Sequence, residues 1–274
     1  MIKFDEGDTA PILTIAIPTF NRKRELSDLI GQLRLFNLLD DRLFKILVID
    51  NSSDYSVVDL VAGFASDSAI EVIENPVNYG LGANLMECFR RSGTKWLWII
   101  GDDDKLFPDS AQLVISTLLG VSDQAICVNF SSDHGETIEA KSITDLDDLI
   151  THASFANILF ISTNIYNVPK LMSHAALGYQ SCFFHMPHTT MMLRAFLEDS
   201  NAEVVMSPDR IISANMDFSN LTWSRGDMMR IRGAYSAMFT DYGSAVVKKL
   251  RKFTMRGYGV VGLLKFNLKV FLKI

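Results

Sequence analysis

Three consecutive carboxylates, Asp102, Asp103 and Asp104, follow Gly101 at the end of an apolar run, Trp96-Leu97-Trp98-Ile99-Ile100. An unpaired carboxylate taken out of water costs several kcal/mol, so three side by side call for a cation. A hard divalent ion with oxygen ligands meets that demand. By itself the triplet also fits an acidic turn, with Asp104 capping a helix that opens near Pro108. The elements that carry the triplet must decide between the two.

Those elements alternate. Short apolar runs at Leu13–Ile17, Phe44–Ile49, Ile70–Ile73, Trp96–Ile100 and Ala125–Val128 are separated by stretches with helical spacing at 22–36, 57–64, 81–92 and 109–119. Continuous apolar strands between amphipathic helices predict an α/β domain with a mostly parallel sheet covered on both faces. In such sheets ligands bind beyond the carboxyl ends of the strands. Beyond residue 130 the expectations are a strand edge at Phe160–Tyr166, a helix from Thr189 to Glu198, and a late strand pair at Val204–Ile212 interrupted by Pro208.

Every carboxyl end in the first half is polar. The first run leads to Pro18-Thr19-Phe20-Asn21-Arg22, the second to Asp50-Asn51-Ser52-Ser53, and the third to Asn75-Pro76 and then Asn78-Tyr79-Gly80-Leu81-Gly82. Small residues beside a helix start leave backbone N–H groups for phosphate. One such tip is ordinary turn chemistry; four along one edge predict a continuous cleft for a nucleotide and a metal. The Gly80/Gly82 pair follows the third strand and lacks a third glycine at Leu85, which excludes a dinucleotide fingerprint.

Together these segments resemble the family 2 glycosyltransferases of the GT-A fold. The resemblance is carried by Ile17–Arg22, Val48–Ser53, Asn75–Gly80 and Trp98–Asp104 with Leu106 and Pro108, and covers roughly residues 10–130. It implies a GT-A-type nucleotide-binding sandwich at 1–215, followed by a C-terminal helical, basic region at 216–274. It implies that Pro18, Thr19, Asn21 and Arg22, with Asn78 and Gly80, border the pocket of a nucleotide-sugar donor, and that Asp50 accepts from the base. The aspartates would hold Mn²⁺ or Mg²⁺ against the diphosphate. The commoner family pattern has an aspartate where Gly101 stands, with the metal ligand two residues later. That alignment ranks Asp103 first as ligand, Asp104 second and Asp102 third, and the Gly-Asp-Asp-Asp form resembles a branch that includes O-antigen sugar transferases. The implied reaction is an inverting displacement onto a glycan acceptor, with a polyprenyl-linked glycan the expected class.

An acceptor hydroxyl needs a base. The acidic pair found in many relatives is missing from the matching stretch, Phe183-Phe184-His185-Met186-Pro187-His188-Thr189-Thr190. His188, at the expected helix start, is the candidate catalytic base, with His185 and Asp209 as competitors. A sugar-phosphate nucleotidyltransferase would want a glycine- and arginine-rich first loop, which Pro18–Arg22 does not provide. A non-catalytic nucleotide-binding relative is the other alternative.

Composition frames these expectations. Nearly half of the 274 residues are apolar, enough for a sizeable core, and Cys88, Cys127 and Cys182 have no metal-ligand spacing. With no secretory signal in the first residues, a cytoplasmic protein is expected. The net charge of −6 is uneven: residues 1–241 carry 18 basic and 32 acidic side chains, whereas the last 33 carry eight basic and none acidic. Interleaved with aromatic and aliphatic residues, that tail predicts peripheral contact with an anionic membrane face, here the inner plasma-membrane face. The competing expectation is a C-terminal helix packed on its own domain with its lysines outward. The acidic body argues against nucleic acid.

Overall fold

A computed structural model describes residues 10–36, 38, 43–64, 70–132, 139–153, 155–213 and 237–255. The first half follows the expected alternation: β1 (Leu13–Thr19), α1 (Lys23–Leu35), β2 (Phe44–Asp50), α2 (Val57–Ala62), β3 (Ile70–Glu74), α3 (Leu81–Arg91) and β4 (Trp96–Ile99). A two-residue strand β5 (Lys105–Leu106), helix α4 (Ser110–Gly120) and strand β6 (Ala125–Ser132) come next. The second half adds β7 (Lys141–Ile143), α5 (Leu146–His152), α6 (Phe155–Leu159), β8 (Asn164–Asn167), α7 (Val168–Met172), α8 (Ala175–Ser181), α9 (Pro187–Glu198), β9 (Glu203–Ser213) and α10 (Gly243–Met255).

The strands form one sheet in the order β3-β2-β1-β4-β8-β6-β9-β5, with β7 also paired to β9. β1 to β4 are parallel, as are β6 and β9; β8 is antiparallel to both its neighbours, β4 and β6. Alternation along each strand assigns its side chains to two cores. Trp96, Trp98 and Ile100 join Ile15, Val48 and the buried faces of α1 and α4, while Leu97 and Ile99 join Ala16, Leu47, Ile49 and helices α3 and α9. Because both faces are covered, β4 is an unbroken apolar run and β1 and β2 are nearly so, whereas the edge strand β3 carries the exposed Glu71.

Two expectations for the second half need correction. Phe160–Tyr166 is no sheet edge: a short 3-10 turn at Ile161–Thr163 leads into β8, which is buried between β4 and β6. The stretch around Val204–Ile212 is one strand rather than a pair. Pro208 falls where the β6–β9 register shifts, between the pairs at Ser207 and Arg210, so its missing N–H interrupts the ladder without ending the strand.

Helix α10 buries Val247, Leu250 and Phe253, and Phe253 meets Phe155 edge-on at 5.2 Å. Lys249 pairs with Asp147 of α5, while Lys248, Arg251 and Lys252 are exposed. This part of the basic region therefore packs on its own domain with its charges outward. Residues 214–236, which contain the expected boundary near 215, and the tail 256–274 lie outside the described residues. Among the described residues no helix is long and apolar enough to cross a membrane.

Candidate functional site

The parallel ladder continues past the strand ends and sets the tips side by side. Thr19 is in register with Asp50, the Asn51 N–H donates to the Thr19 carbonyl (2.9 Å), and the Asn75 N–H donates to the Asp50 carbonyl (2.8 Å). The Ile100 N–H reaches the Ala16 carbonyl at 2.9 Å, so the aspartate turn emerges beside the first loop.

The three aspartates have three environments. Asp102 is buried, accepting from Thr19 Oγ1 at 2.8 Å and from Arg22 Nη1 at 3.2 Å. Asp103 is one-third exposed, with Oδ2 2.6 Å from the same Arg22 Nη1. Asp104 is buried and turned back toward the fold, where Ser162 Oγ donates to its Oδ2 at 2.5 Å. That serine accepts the Gly101 N–H at 3.0 Å, and its carbonyl takes the Trp98 indole N–H at 2.8 Å. Asp104 caps no helix: α4 starts after Asp109, without a side-chain cap.

The folded turn explains Gly101. A Cβ there would stand 2.8 Å from Asp104 Oδ2 and 3.3 Å from Asp103 Oδ1. An aspartate at 101 would push the Asp104 carboxylate off Ser162. Glycine at this place goes with the inward-turned Asp104, so the departure from the commoner pattern has a local steric cause.

Burial pushes the Asp102 carboxyl up to about 6, against the pull of the Arg22 guanidinium and the Thr19 hydroxyl, with Asp103 adding to the rise. The sign of the stability effect follows. Below about pH 4 the group is neutral in both folded and unfolded chains; between about 4 and 6 the unfolded chain ionises first, so folding loses stability as pH rises. Denaturant titrations should show the metal-free wild type losing about 3 kcal/mol across that window relative to Asp102→Asn, which lacks this slope. Parallel pH profiles of the two proteins would contradict the assignment.

At the β2 tip the buried Asp50 carboxylate accepts from the Ser53 N–H (3.1 Å) and from Ser53 Oγ (2.6 Å). Asn21 joins the first two loops: its N–H donates to Ser53 Oγ and its Oδ1 accepts from the Asp54 N–H. It does so at φ 54°, in the left-handed region that asparagine tolerates. Asn78 Oδ1 accepts from Asn51 Nδ2 and from the Gly80 N–H, while Gly80 sits at φ 79° to open α3. Pro18, Thr19, Arg22, Asp50, Asn78, Gly80 and the aspartates therefore converge on one edge, as the sequence predicts, and Asn21 spends its side chain tying that edge together.

His188 does not join them. It is 2% exposed, its Nε2 lies 3.1 Å from the Leu159 carbonyl, and its ring packs on Tyr166. Burial pushes its imidazole down to about 4, against the pull of that carbonyl. The structure does not bring His188 to this edge: Pro187 starts α9 two residues earlier than predicted, and the histidine lies in the core. His185, at φ 60°, stays partly exposed in the turn before α9, and Asp209 is exposed on β9.

Two residues at this edge escape the sequence reading. Ser162 lies at the head of β8, far from any recognisable motif. Tyr55 follows the second loop, and its buried hydroxyl lies close to Thr19 and Ser53 without making a well-formed hydrogen bond. Burial raises its pKa, with Asp50 and Asp102 adding to the rise and Thr19 and Ser53 opposing it.

The profile of Glycosyl transferase family 2 matches residues 14–201, which include every strand tip described above. The chain belongs to that family. Abequosyltransferase RfbV of Salmonella typhimurium is 26% identical over 121 residues, which is 42% of this chain and 35% of that relative. The chain thus matches about a third of its length. Among solved structures, Staphylococcus aureus TarS 1–349 superposes with a TM-score of 0.65 at 14% identity, covering 94% of this chain and 75% of that one. The mannosyltransferase PcManGT from Pyrobaculum calidifontis, in complex with GDP-Man and Mn²⁺, gives 0.62 at 12% identity, covering 91% and 70%. At such identities these neighbours establish the shared α/β fold.

Proposed function

We propose that the protein transfers a sugar from a nucleotide-sugar donor to a glycan acceptor by a metal-dependent, inverting displacement. The observation that carries the reading is Asp103, an outward-facing carboxylate beside Arg22, at the edge where the family profile and the strand tips coincide. One guanidinium against three carboxylates leaves that tip net negative.

The donor set fits a hard divalent ion. Among the described residues no three His, Cys, Asp or Glu side chains form a ready-made cage. Mg²⁺-type sites keep one or two carboxylates and complete their shell with water and substrate phosphate. Asp103 would be the principal ligand, with Asp102 behind it; Asp104, committed to Ser162, serves the turn. When bound, the ion would supply positive charge against the departing diphosphate. The chain's own part is to hold the pieces. Arg22 and Thr19 fix Asp102, and the Asn51–Asn78 pair fixes the third loop. Ser53 keeps Asp50 aimed through its N–H and its hydroxyl. Structures of TarS with UDP-GlcNAc and of PcManGT with GDP-Man and Mn²⁺ support a nucleotide sugar and a metal as partners here. His185 and Asp209 remain the candidates for the base.

Calorimetry with uridine, guanosine, thymidine and cytidine diphosphates tests the reading. At least one should bind, and only with Mn²⁺ or Mg²⁺ present; metal-independent binding, or none, would overturn it. Slow hydrolysis of the matching nucleotide sugar is expected in addition, whereas tight binding without any turnover would point to the non-catalytic alternative.

A polyprenyl-linked acceptor at the inner membrane face is the substrate class that agrees with the basic C-terminal region. Since α10 spends its apolar face on the body, contact would run through exposed charge. Vesicles containing anionic lipid should float the full chain, and Lys265→Glu/Lys269→Glu/Lys273→Glu should cut the floated fraction about tenfold. Equal flotation of the two proteins would remove the membrane claim.

A further inference from the structure

A helix leaves its last carbonyls without a partner inside the helix, and α6, which ends at Leu159, has little access to water. Side chains take those carbonyls instead. Thr163 Oγ1 donates to the Asn157 carbonyl at 2.9 Å, Asn164 Nδ2 to the Ile158 carbonyl at 3.0 Å, and His188 Nε2 to the Leu159 carbonyl at 3.1 Å. Asn164 Nδ2 also reaches the Phe160 carbonyl at 2.8 Å. Two residues later comes Ser162, whose hydroxyl joins Gly101 to Asp104. We propose that His188 is a positioning residue for the aspartate turn, acting through this segment and Ser162. The proposal rests on the transferase reading above and gives a role to a histidine that the donor edge does not use.

The other ties come from the sheet. Asn164 belongs to β8, and Asn129 of β6 donates to Asn164 Oδ1 at 2.7 Å while accepting from Asn157 Nδ2 at 2.6 Å. His188 reaches the middle of the segment from α9, in the helical layer. A carbonyl only accepts, so Nε2 carries the proton and Nδ1 the lone pair. With its imidazole pushed down to about 4 by burial, the ring is neutral above that pH and the donor stays in place. Nδ1, the nitrogen that could take a proton from an acceptor hydroxyl, is buried and unpaired among the described residues. The working atom of this histidine is therefore Nε2.

Ser162 leaves the turn little slack. Its Oγ accepts the Gly101 N–H at 3.0 Å and donates to Asp104 at 2.5 Å. A shift of about 0.5 Å would take the first of these to the limit of a hydrogen bond. A Leu159 carbonyl without its donor would be drawn toward water, and Ser162 lies three residues further along the same backbone.

Amide exchange at Gly101 reads the turn with no ligand present. His188→Leu keeps apolar volume and removes the donor; Gly101 should exchange about tenfold faster, and Mn²⁺-dependent nucleoside diphosphate affinity should fall about tenfold. His188→Gln can place an amide N–H where Nε2 lies and should restore both to within about twofold. His188→Asn, whose shorter amide falls short of the carbonyl, is the second variant should leucine fail to fold, and it should behave as leucine does. In a Ser162→Ala background His188→Leu should cause no further loss of affinity, because the tie acts through that hydroxyl; additive losses would make His188 a packing residue and overturn the proposal. Unchanged Gly101 exchange in the leucine or asparagine variant, or a glutamine as damaging as either, would overturn it too. So would a His188→Gln protein that binds nucleotide and metal as the wild type does yet has lost turnover, since that outcome marks a base. A wild type that binds no nucleoside diphosphate with Mn²⁺, while Gly101 exchange still depends on His188, would sink the transferase reading and leave the tie between His188 and the turn standing.

Discussion

Asp103→Ala should lower turnover about a thousandfold, equivalent to about 4 kcal/mol of transition-state stabilisation, while leaving the fold intact. Asp103 is the member of the triplet that faces solvent, and Arg22, with which it pairs, also holds Asp102. Removing it therefore opens no cavity and strands no buried donor. What is lost is the outward carboxylate against which a divalent ion would sit, and with it the charge that balances a departing diphosphate. Donor hydrolysis with saturating Mn²⁺ measures the rate, and calorimetry measures the metal-dependent part of nucleoside diphosphate binding. Both should fall together. A variant that keeps metal-dependent binding and loses only turnover would make Asp103 something other than a ligand. Asp104→Asn provides the contrast, because its amide can still accept from Ser162 while the outward charge stays in place. Its activity should fall far less.

The order of these two carboxylates was only half legible in the sequence. Mostly apolar runs ending in polar tips identified β1 to β4, because a strand covered on both faces admits few polar residues, such as Thr14 of β1, until it leaves the core. Asp103 could be ranked first by resemblance. That Asp104 turns inward could not be read, since its partner Ser162 comes 58 positions later and belongs to a strand whose place in the sheet no local pattern reveals. β8 is four residues long and lies antiparallel between β4 and β6, an insertion fixed by long-range packing. The same limit misplaced His188. Polar residues at a helix start suggest exposure, but His188, Thr189 and Thr190 are all buried in α9 beneath α8 and α3. Tyr55 was invisible for a simpler reason: an aromatic residue in a loop carries no pattern until the neighbouring tips are placed around it.

Ser162→Ala should cost both stability and function, through one hydroxyl. The side chain is fully buried and sits at the crossing of the aspartate turn and β8. It accepts the Gly101 N–H and donates to Asp104, so its loss takes a partner from a backbone donor and from a carboxylate in a site with little access to water. Each such loss costs about 1–3 kcal/mol, which sets the expected fall in denaturant stability at about 2–6 kcal/mol. The functional effect has a different origin. Without the hydroxyl the Asp104 carboxylate is released from its inward position, and the turn that presents Asp103 loses its anchor on β8. Turnover and Mn²⁺-dependent diphosphate binding should drop about a hundredfold in the fraction that stays folded, since misplacing a charged group by an ångström is enough for that. Ser162→Thr keeps the hydroxyl and should recover most of the metal-dependent binding even if the added methyl costs stability. That split distinguishes positioning from packing. If the alanine and threonine variants lose stability alike and both keep wild-type affinity for nucleotide and Mn²⁺, Ser162 supports the core alone and the aspartate turn holds its shape without it.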